Sequence, residues 1–463
     1  PHIHHNYSWD VATSGSLWKY FITDNIVEPL IRLDDKSKYS PAIASSWQYS
    51  NDQKTINIKV ANNHHFHDGT PITANDVYSS LERVLKLKKT SHSDISEAIC
   101  AEDECSGLSI KKDIISLKLN SVVNGLLFNL SSPEYGITPK DYGEKDETFK
   151  QDLFNLSGPY RVNSFDENEM SLKKVNEHYL TNEKSVEKVK IKEITNFKDS
   201  VEFFKKNKNS VLIGSDYSSA LRLKDLKGKK YISAPSLTEF FLPNIDSKKL
   251  NTSLKRKVLF SKIRDAARRI KIDKDLGEKT SQVFTLDNLA RLDDEKVDLL
   301  YDSTPKLKEV YKVLIFDWMK DTPIVPLLTE ELKEVGITLD IEIVDVSSLG
   351  KVLKEKKYDL IYLYSGVSAY DPIVELVYLF NHPLTQFNYK NDKGVALLSE
   401  IKQVIDRDDY KRKLQELHSD LIGNYRVLPI LHTRMVYVTN SNYMLEDLNH
   451  FDGGLSLWEW KLE

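Results

Sequence analysis

His67-Asp68-Gly69-Thr70-Pro71-Ile72-Thr73-Ala74-Asn75-Asp76-Val77 joins a tight turn to the start of a helix. Just before it, Ile56, Ile58 and Val60 alternate with Thr55, Asn57 and Lys59, the two-residue period of a strand with one buried face. Asp68-Gly69 supplies the turn, because glycine tolerates positive φ. Thr73 stands at the N-cap position with Asp76 three residues on, a variant of the capping box. Val77, Leu81, Val84 and Leu85 then share one helical face, and Glu82 and Lys86 are spaced as an i,i+4 ion pair. Strand, turn and amphipathic helix are common parts, and taken singly they identify little.

The whole string is more specific. From Trp47, a tryptophan expected on a buried face, through SNDQKTINIKVANNHHFHDGTPITANDVYSSLERV, the chain resembles the signature region of family 5 extracellular solute-binding proteins. These are the dipeptide, oligopeptide and nickel receptors of ABC importers. Further landmarks are similar. Ile26-Val27-Glu28-Pro29-Leu30 resembles the segment leading into the family's inserted lobe, and Leu156-Ser157-Gly158-Pro159-Tyr160-Arg161-Val162 its return. Leu254-Lys255-Arg256-Lys257-Val258-Leu259-Phe260 resembles the Arg-rich helix early in the third domain, and Phe387-Asn388-Tyr389 and Leu428-Pro429-Ile430-Leu431 two late landmarks. Between about Lys271 and Lys306 the chain is polar and short beside usual members, which implies a pruned lobe.

The resemblance implies an α/β fold of the periplasmic-binding-protein type II, with two lobes, a hinge-linked cleft and an inserted third domain. Residues 1–31, 154–240 and 432–463 would form the first lobe, 32–153 the insertion and 241–431 the third. Hinge motion would fall at Phe240 to Pro243 and at Val427 to His432.

Size and charge agree with such a reading. At 463 residues the length prior is roughly three domains. The formal net charge is −4 with 29% charged residues, and no basic stripe marks a nucleic-acid or anionic-membrane partner. Lysine groups such as Lys205-Lys206 and Lys356-Lys357 read as solvated helix ends and loops. No run of 18 apolar residues offers a membrane-spanning helix. A start on Pro1 fits processing of an exported chain, periplasmic or extracellular, with a signal peptide already removed and a lipid anchor left open.

Cys100 and Cys105 are the two cysteines. Their spacing fits a small loop disulfide in an oxidising compartment, a free thiol pair or, lacking a second pair, least well a metal site. His64, His65 and His67 lie at the strand-turn junction, where family members carry Phe-His-Asp-Gly as scaffold, and His2, His4 and His5 lie at a terminus. Zinc needs three or four ligands converging at about 2.0–2.3 Å, and a strand sends neighbouring side chains to opposite faces. No metal and no cofactor is expected. Nor is an enzyme, since the chain has no Gly-x-Ser-x-Gly elbow, phosphate-binding glycine loop or His-Glu-x-x-His.

One later stretch folds from first principles. A helix over Glu330 to Val335 should stop at Gly336, and Ile337, Leu339, Ile341 and Ile343 should form a strand. A short helix carrying Leu349, Val352 and Leu353 should follow, then a buried strand over Tyr358 to Tyr364. This βαβ unit directs a ligand beyond the strand's carboxyl end, to Ser365-Gly366-Val367-Ser368-Ala369-Tyr370-Asp371-Pro372. Asp371 with Pro372 can start the next helix, whose buried face would be Ile373, Leu376, Val377 and Phe380, or it can face ligand.

In the family's peptide receptors this loop carries a Trp and an Asp that pairs with the peptide's free amine. Here Ser365 and Ser368 stand at those places. A hydroxyl accepts a hydrogen bond but does not neutralise an ammonium. Asp216, after the short strand Val211-Leu212-Ile213-Gly214 and beside Ser215, is either the substitute partner on the opposite lobe or a solvated loop residue. Trp9, with Tyr7 and Trp18, offers an aromatic wall, and for Trp18 core packing is the alternative. The expected ligand-binding set is therefore Trp9, Ser215, Asp216, Ser365, Gly366, Ser368, Tyr370 and Asp371. The function implied is a monomeric receptor that captures a peptide or peptide-like solute and delivers it to an ABC permease. The alternative is a sensing domain of a regulator on the same fold.

Overall fold

A computed structural model describes residues 8–13, 17–33, 38–87, 93–100, 104–144, 149–301 apart from 167, 193, 195, 286 and 287, then 307–366, 372, 373, 376, 380, 393–445 and 456–462. The chain divides into two compact units. The first draws on Pro1–Leu212, Thr439–His450 and Gly454–Glu463, and the second on Ile213–Val438 and Phe451–Gly453.

In the first unit the expected strand is Thr55–Val60, with Ile56, Ile58 and Val60 buried. It lies in a four-stranded sheet between Ala44–Tyr49 and Ile114–Lys118, with Leu108–Lys111 at the far edge. The Asp-Gly turn follows, with Gly69 at φ 87°. Next comes the helix Ala74–Leu87, burying Val77, Leu81, Val84 and Leu85. Thr73 begins it in a modified way. Its amide and hydroxyl donate to Asp76 Oδ2 at 2.8 and 2.6 Å, while the Asp76 amide bonds the Thr73 carbonyl. Lys86 Nζ meets Glu82 Oε1 at 2.9 Å. Trp47 is half-buried rather than buried and packs against this core from the neighbouring strand. A disulfide joins Cys100 and Cys105.

The return from this sheet is a close contact. A Cβ on Gly158 would lie 2.4 Å from the Ile26 carbonyl carbon, so only glycine permits the Gly158 amide to reach the Ile26 carbonyl at 3.0 Å. His67 fastens the same place, its amide donating to the Leu156 carbonyl at 2.8 Å and its Nε2 meeting the Gly158 carbonyl at 3.0 Å. Burial pushes its imidazole down to about 4, so the ring is neutral at pH 7. The three-stranded sheet Tyr160–Phe165, Glu169–Lys174 and Lys188–Lys192 continues from there.

The second unit is built on one large sheet. Its strands are β1 (Val211–Gly214), β2 (Lys229–Pro243), β3 (Gly277–Lys279), β4 (Glu309–Phe316), β5 (Ile337–Val344), β6 (Leu360–Gly366) and β7 (Leu428–Thr439). The order across the sheet is β1, β7, β2, β6, β4, β5, with β3 also pairing β7. The first two residues of β1 and the last of β7 belong to the first unit. β4 runs parallel to both β5 and β6, whereas β6 runs antiparallel to β2. The βαβ elements foreseen from sequence are present: the helix Ile324–Lys333, Gly336 at φ 84°, β5, the helix Leu349–Glu355 and β6. The first helix begins six residues earlier than read. Between β5 and β6 lies β4, a strand from earlier in the chain that the periodicity reading passed over.

Two placements differ from expectation. Phe240 to Pro243 and Val427 to His432 were expected to bend, yet both lie inside the second unit. Phe240 and Phe241 are fully buried and pair in register with Leu363 and Tyr362. The chain passes between units instead at Leu212 to Ile213 and at Val438 to Thr439. The divisions at 240 and 432 likewise fall within this unit, because β2 and β7 are hydrogen-bonded neighbours in its sheet.

Candidate functional site

The carboxyl end of β6 is where open α/β sheets present ligands. Ser365 pairs with Thr238 and Gly366 with Leu237 on β2, and both Ser365 and Gly366 are half-exposed. Ser368, Tyr370 and Asp371 lie outside the described residues. Beyond them, Pro372, Ile373, Leu376 and Phe380 are helical and buried, the face expected for the helix that Asp371-Pro372 would start; Val377 is outside the described residues.

Ser215 and Asp216 belong to this same unit, not to a lobe opposite Ser365. β1 delivers them to the start of the helix Tyr217–Leu223. Asp216 is neither free nor merely solvated. Its Oδ1 accepts from the Ser219 amide at 2.8 Å and from the Ser219 hydroxyl, while the Ser219 hydroxyl accepts from the Asp216 amide at 3.1 Å. This is a capping box, which holds the carboxylate in one orientation.

A polar cluster lies within the sheet of the same unit. Antiparallel pairing sets Glu239 on β2 opposite Tyr364 on β6, with Tyr362 and Phe241 on the same face. The Tyr362 hydroxyl donates to Glu239 Oε2 at 2.5 Å, and the rings of Phe241 and Tyr362 pack 4.7 Å apart. Asp216 acts electrostatically on Glu239, Tyr362 and Tyr364. Glu239 is 1% exposed. Burial pushes its carboxyl up to about 7 and the Asp216 charge adds to the rise, against the opposing hydrogen bond from Tyr362. Burial also drives both tyrosine hydroxyls up, so they remain donors at any ordinary pH.

Sequence reasoning missed Glu239, Tyr362 and Tyr364. The signal was present: one glutamate directly before the apolar run Phe240-Phe241-Leu242, and tyrosines two apart in Ile361-Tyr362-Leu363-Tyr364. Both segments were read as strand or hinge, and only pairing reveals that these polar groups face one another.

Trp9 sits in the first unit, buried, with its ring edge-on to Phe165 at 4.8 Å. Tyr7 lies outside the described residues, as do His2, His4 and His5, and Trp18 lies on the helix Leu17–Ile26. Among the described residues no group of three or more His, Cys, Asp or Glu is placed to hold a metal ion. No helix among them is long and apolar enough to cross a membrane.

The fold is shared with known binding proteins. A periplasmic binding protein, DppA, from Helicobacter pylori in complex with peptide STSA superposes with TM-score 0.76 at 18% identity, covering 98% of this chain and 96% of that one. NikA from Staphylococcus aureus in complex with Ni(L-His)2 gives 0.78 at 17%, covering 99% and 98%. AgaA from A. tumefaciens R10 with agropinic acid gives 0.76 at 18%, covering 100% and 97%. At such identities these likenesses establish a type II periplasmic-binding-protein fold. Residues 38–264, just under half of the chain, match the model of bacterial extracellular solute-binding proteins, family 5 Middle. On that match, with the family's strand, turn and helix in it and the fold carried through to β7, the chain is similar to family 5 of the bacterial extracellular solute-binding proteins.

Proposed function

We propose that this protein captures a small peptide or peptide-like solute outside the cytoplasm and, as a monomer, delivers it to an ABC permease. The observation that carries the reading is the presence, within one unit, of the half-exposed carboxyl end of β6 and of the Ser215–Asp216 turn, whose carboxylate a capping box orients. Half-exposed Ser365 and Gly366 leave the sheet at that end. An oriented carboxylate at Asp216 can accept from an ammonium or amide, and Ser215 and Ser365 can donate to or accept from a peptide backbone. Two of the similar structures hold peptides, STSA in the H. pylori protein and Met-Leu in a dipeptide-binding protein from Pseudoalteromonas. The role is binding rather than chemistry, in keeping with the family.

Native mass spectrometry of protein purified without denaturation tests the reading. Bound masses should resolve into peptides, and resupplying one at 100 times its Kd should stabilise the protein by about 2.7 kcal/mol, visible as a raised Tm. A metal chelate or a single non-peptide metabolite as sole occupant would sink the peptide assignment while leaving solute binding intact.

A further inference from the structure

We infer that Thr238 is a positioning residue of the solute site, whose hydroxyl holds residues 283–285 beside the end of β6 that carries Ser365. The inference deepens the reading just given and rests on it for the identity of the site.

Thr238 lies on β2 directly opposite Ser365, so the two side chains share a face of the sheet with their Cβ atoms about 5 Å apart. Thr238 is wholly buried, while Ser365 is half-exposed. The Thr238 hydroxyl lies 2.8 Å from the Val283 carbonyl and 2.8 Å from Nδ1 of His432 on β7. A carbonyl only accepts, so the one hydroxyl proton goes to Val283, and the Nδ1–H of His432 donates to Thr238. Burial pushes the His432 imidazole down to about 3, so the ring is neutral at pH 7 and keeps that role. With its proton given and a lone pair filled, the hydroxyl serves residues 283–285 rather than the solute.

The Val283 peptide is fixed from its other side as well. Its amide donates to Nε2 of His418 at 3.2 Å, and Nδ1 of the same ring donates to the Ala290 carbonyl at 2.8 Å. That ring bridges two arms of one loop. Gln282 closes the base, its side-chain amide donating to the Leu292 carbonyl at 3.0 Å and its Oε1 accepting from the Leu292 amide at 2.8 Å. Where the loop begins, the Thr280 amide still bonds the Ile430 carbonyl of β7 at 3.0 Å, and three residues later Val283 is held at β2, one strand nearer β6. The loop is thus braced within itself, and Thr238 fixes it to the strand that pairs with Ser365. A valine at this position would keep nearly the same shape, yet it would leave the Val283 carbonyl and His432 Nδ1 buried without this partner.

Binding of free Ser-Thr-Ser-Ala and of Met-Leu is measured by calorimetry on the native protein, on Thr238→Val and Thr238→Ser, and on Leu81→Ala, a core change in the first unit. Thr238→Val should raise the Kd of whichever peptide binds by about tenfold, the scale of one lost hydrogen bond, while Thr238→Ser restores it and Leu81→Ala leaves it in place. Hydrogen exchange without ligand, read by mass spectrometry, should quicken in Thr238→Val both at residues 283–285 and at Ser365 and Gly366, and return to native rates in Thr238→Ser. A Kd unchanged in Thr238→Val, or raised as much in Leu81→Ala, overturns the inference. So does native exchange at Ser365 and Gly366 in Thr238→Val, because the loop would then loosen without reaching the site. Should Thr238→Val not fold, His418→Gln, which frees the Val283 amide from the other side, is read in the same two ways. If neither peptide binds the native protein, the peptide reading fails, and exchange at Ser365 and Gly366 alone decides the role of Thr238.

Discussion

Glu28 sits in the first unit with no exposed surface and still carries a charge. Burial, the largest influence, acts to raise its pKa. The Arg32 guanidinium, with hydrogen bonds of 2.9 and 2.8 Å to its two oxygens, and His178 at 3.5 Å outweigh it and hold the carboxyl at about 2. Tyr179 donates to it at 2.5 Å. Because the folded value lies below the ordinary 4.5, this stabilisation is present above about pH 4.5 and is lost as pH falls toward 2. Glu28→Ala leaves Arg32 with only Asp24, at 3.3 Å, as a carboxylate partner and should cost on the order of 3 kcal/mol in urea unfolding, and a loss below about 1 kcal/mol would refute this account. His418 has the opposite chemistry. Its Nε2 accepts from the Val283 amide at 3.2 Å, so its Nδ1 must be the nitrogen that donates to the Ala290 carbonyl at 2.8 Å, and the ring is neutral. Burial holds it at about 4 against an ordinary 6.5, so the unfolded chain takes up the proton first. Stability should therefore decline as pH falls from about 6.5 to about 4, by on the order of 3 kcal/mol from this group, read as a falling Tm over that window. A flat profile there would mean that the imidazole reaches water. Neither role was legible beforehand. Glu28 was seen only as part of Ile26 to Leu30, and His418 was not singled out, because burial and partners are properties of position in space.

The helix Ala74–Leu87 shows what an element can announce in advance. Its apolar spacing, its Thr73 start and its Glu82 to Lys86 pair were all readable, since each depends on residues at most a few positions apart. Packing against the sheet carries most of its stability, so Leu81→Ala should cost about 2–5 kcal/mol, whereas Asp76→Ala, which removes only the partner of Thr73, should cost about 0.5–2 kcal/mol. Chemical denaturation of the two variants tests the ranking, and a reversal would place the cap above the core. The run from Ile324 to Gly366 was readable in kind and order but not in neighbourhood. Periodicity assigns β5 and β6 as strands. It cannot say that β4 lies between them, because strand order is set by crossover connections and long-range pairing. The segments read as chain crossings fall within one unit, and sequence could not show this, because a short apolar run looks alike in a flexible crossing and in the middle of a sheet.

For the molecule as a whole, the disulfide of the first unit has a bounded effect. The Cys100 to Cys105 link spans five positions, and closing so short a loop stabilises by at most about 2 kcal/mol in the chain-entropy view. Reduction should thus leave the protein folded and speed amide exchange locally, in Ile95 to Ile99 and Leu108 to Lys111; loss of cooperative unfolding would show the bridge to be essential. By itself the sequence carried the resemblance to family 5, the α/β class and the strand, turn and helix of the signature region. Those rest on local patterns and on strings long enough to be specific. Only the tertiary structure decided that Ser215 and Asp216 share a unit with Ser365, that Trp9 packs in a core, and that Glu239 meets Tyr362 across more than a hundred residues. Sheet register brings such groups together, and the energy of a buried carboxyl depends on what surrounds it in space rather than on what precedes it in the chain.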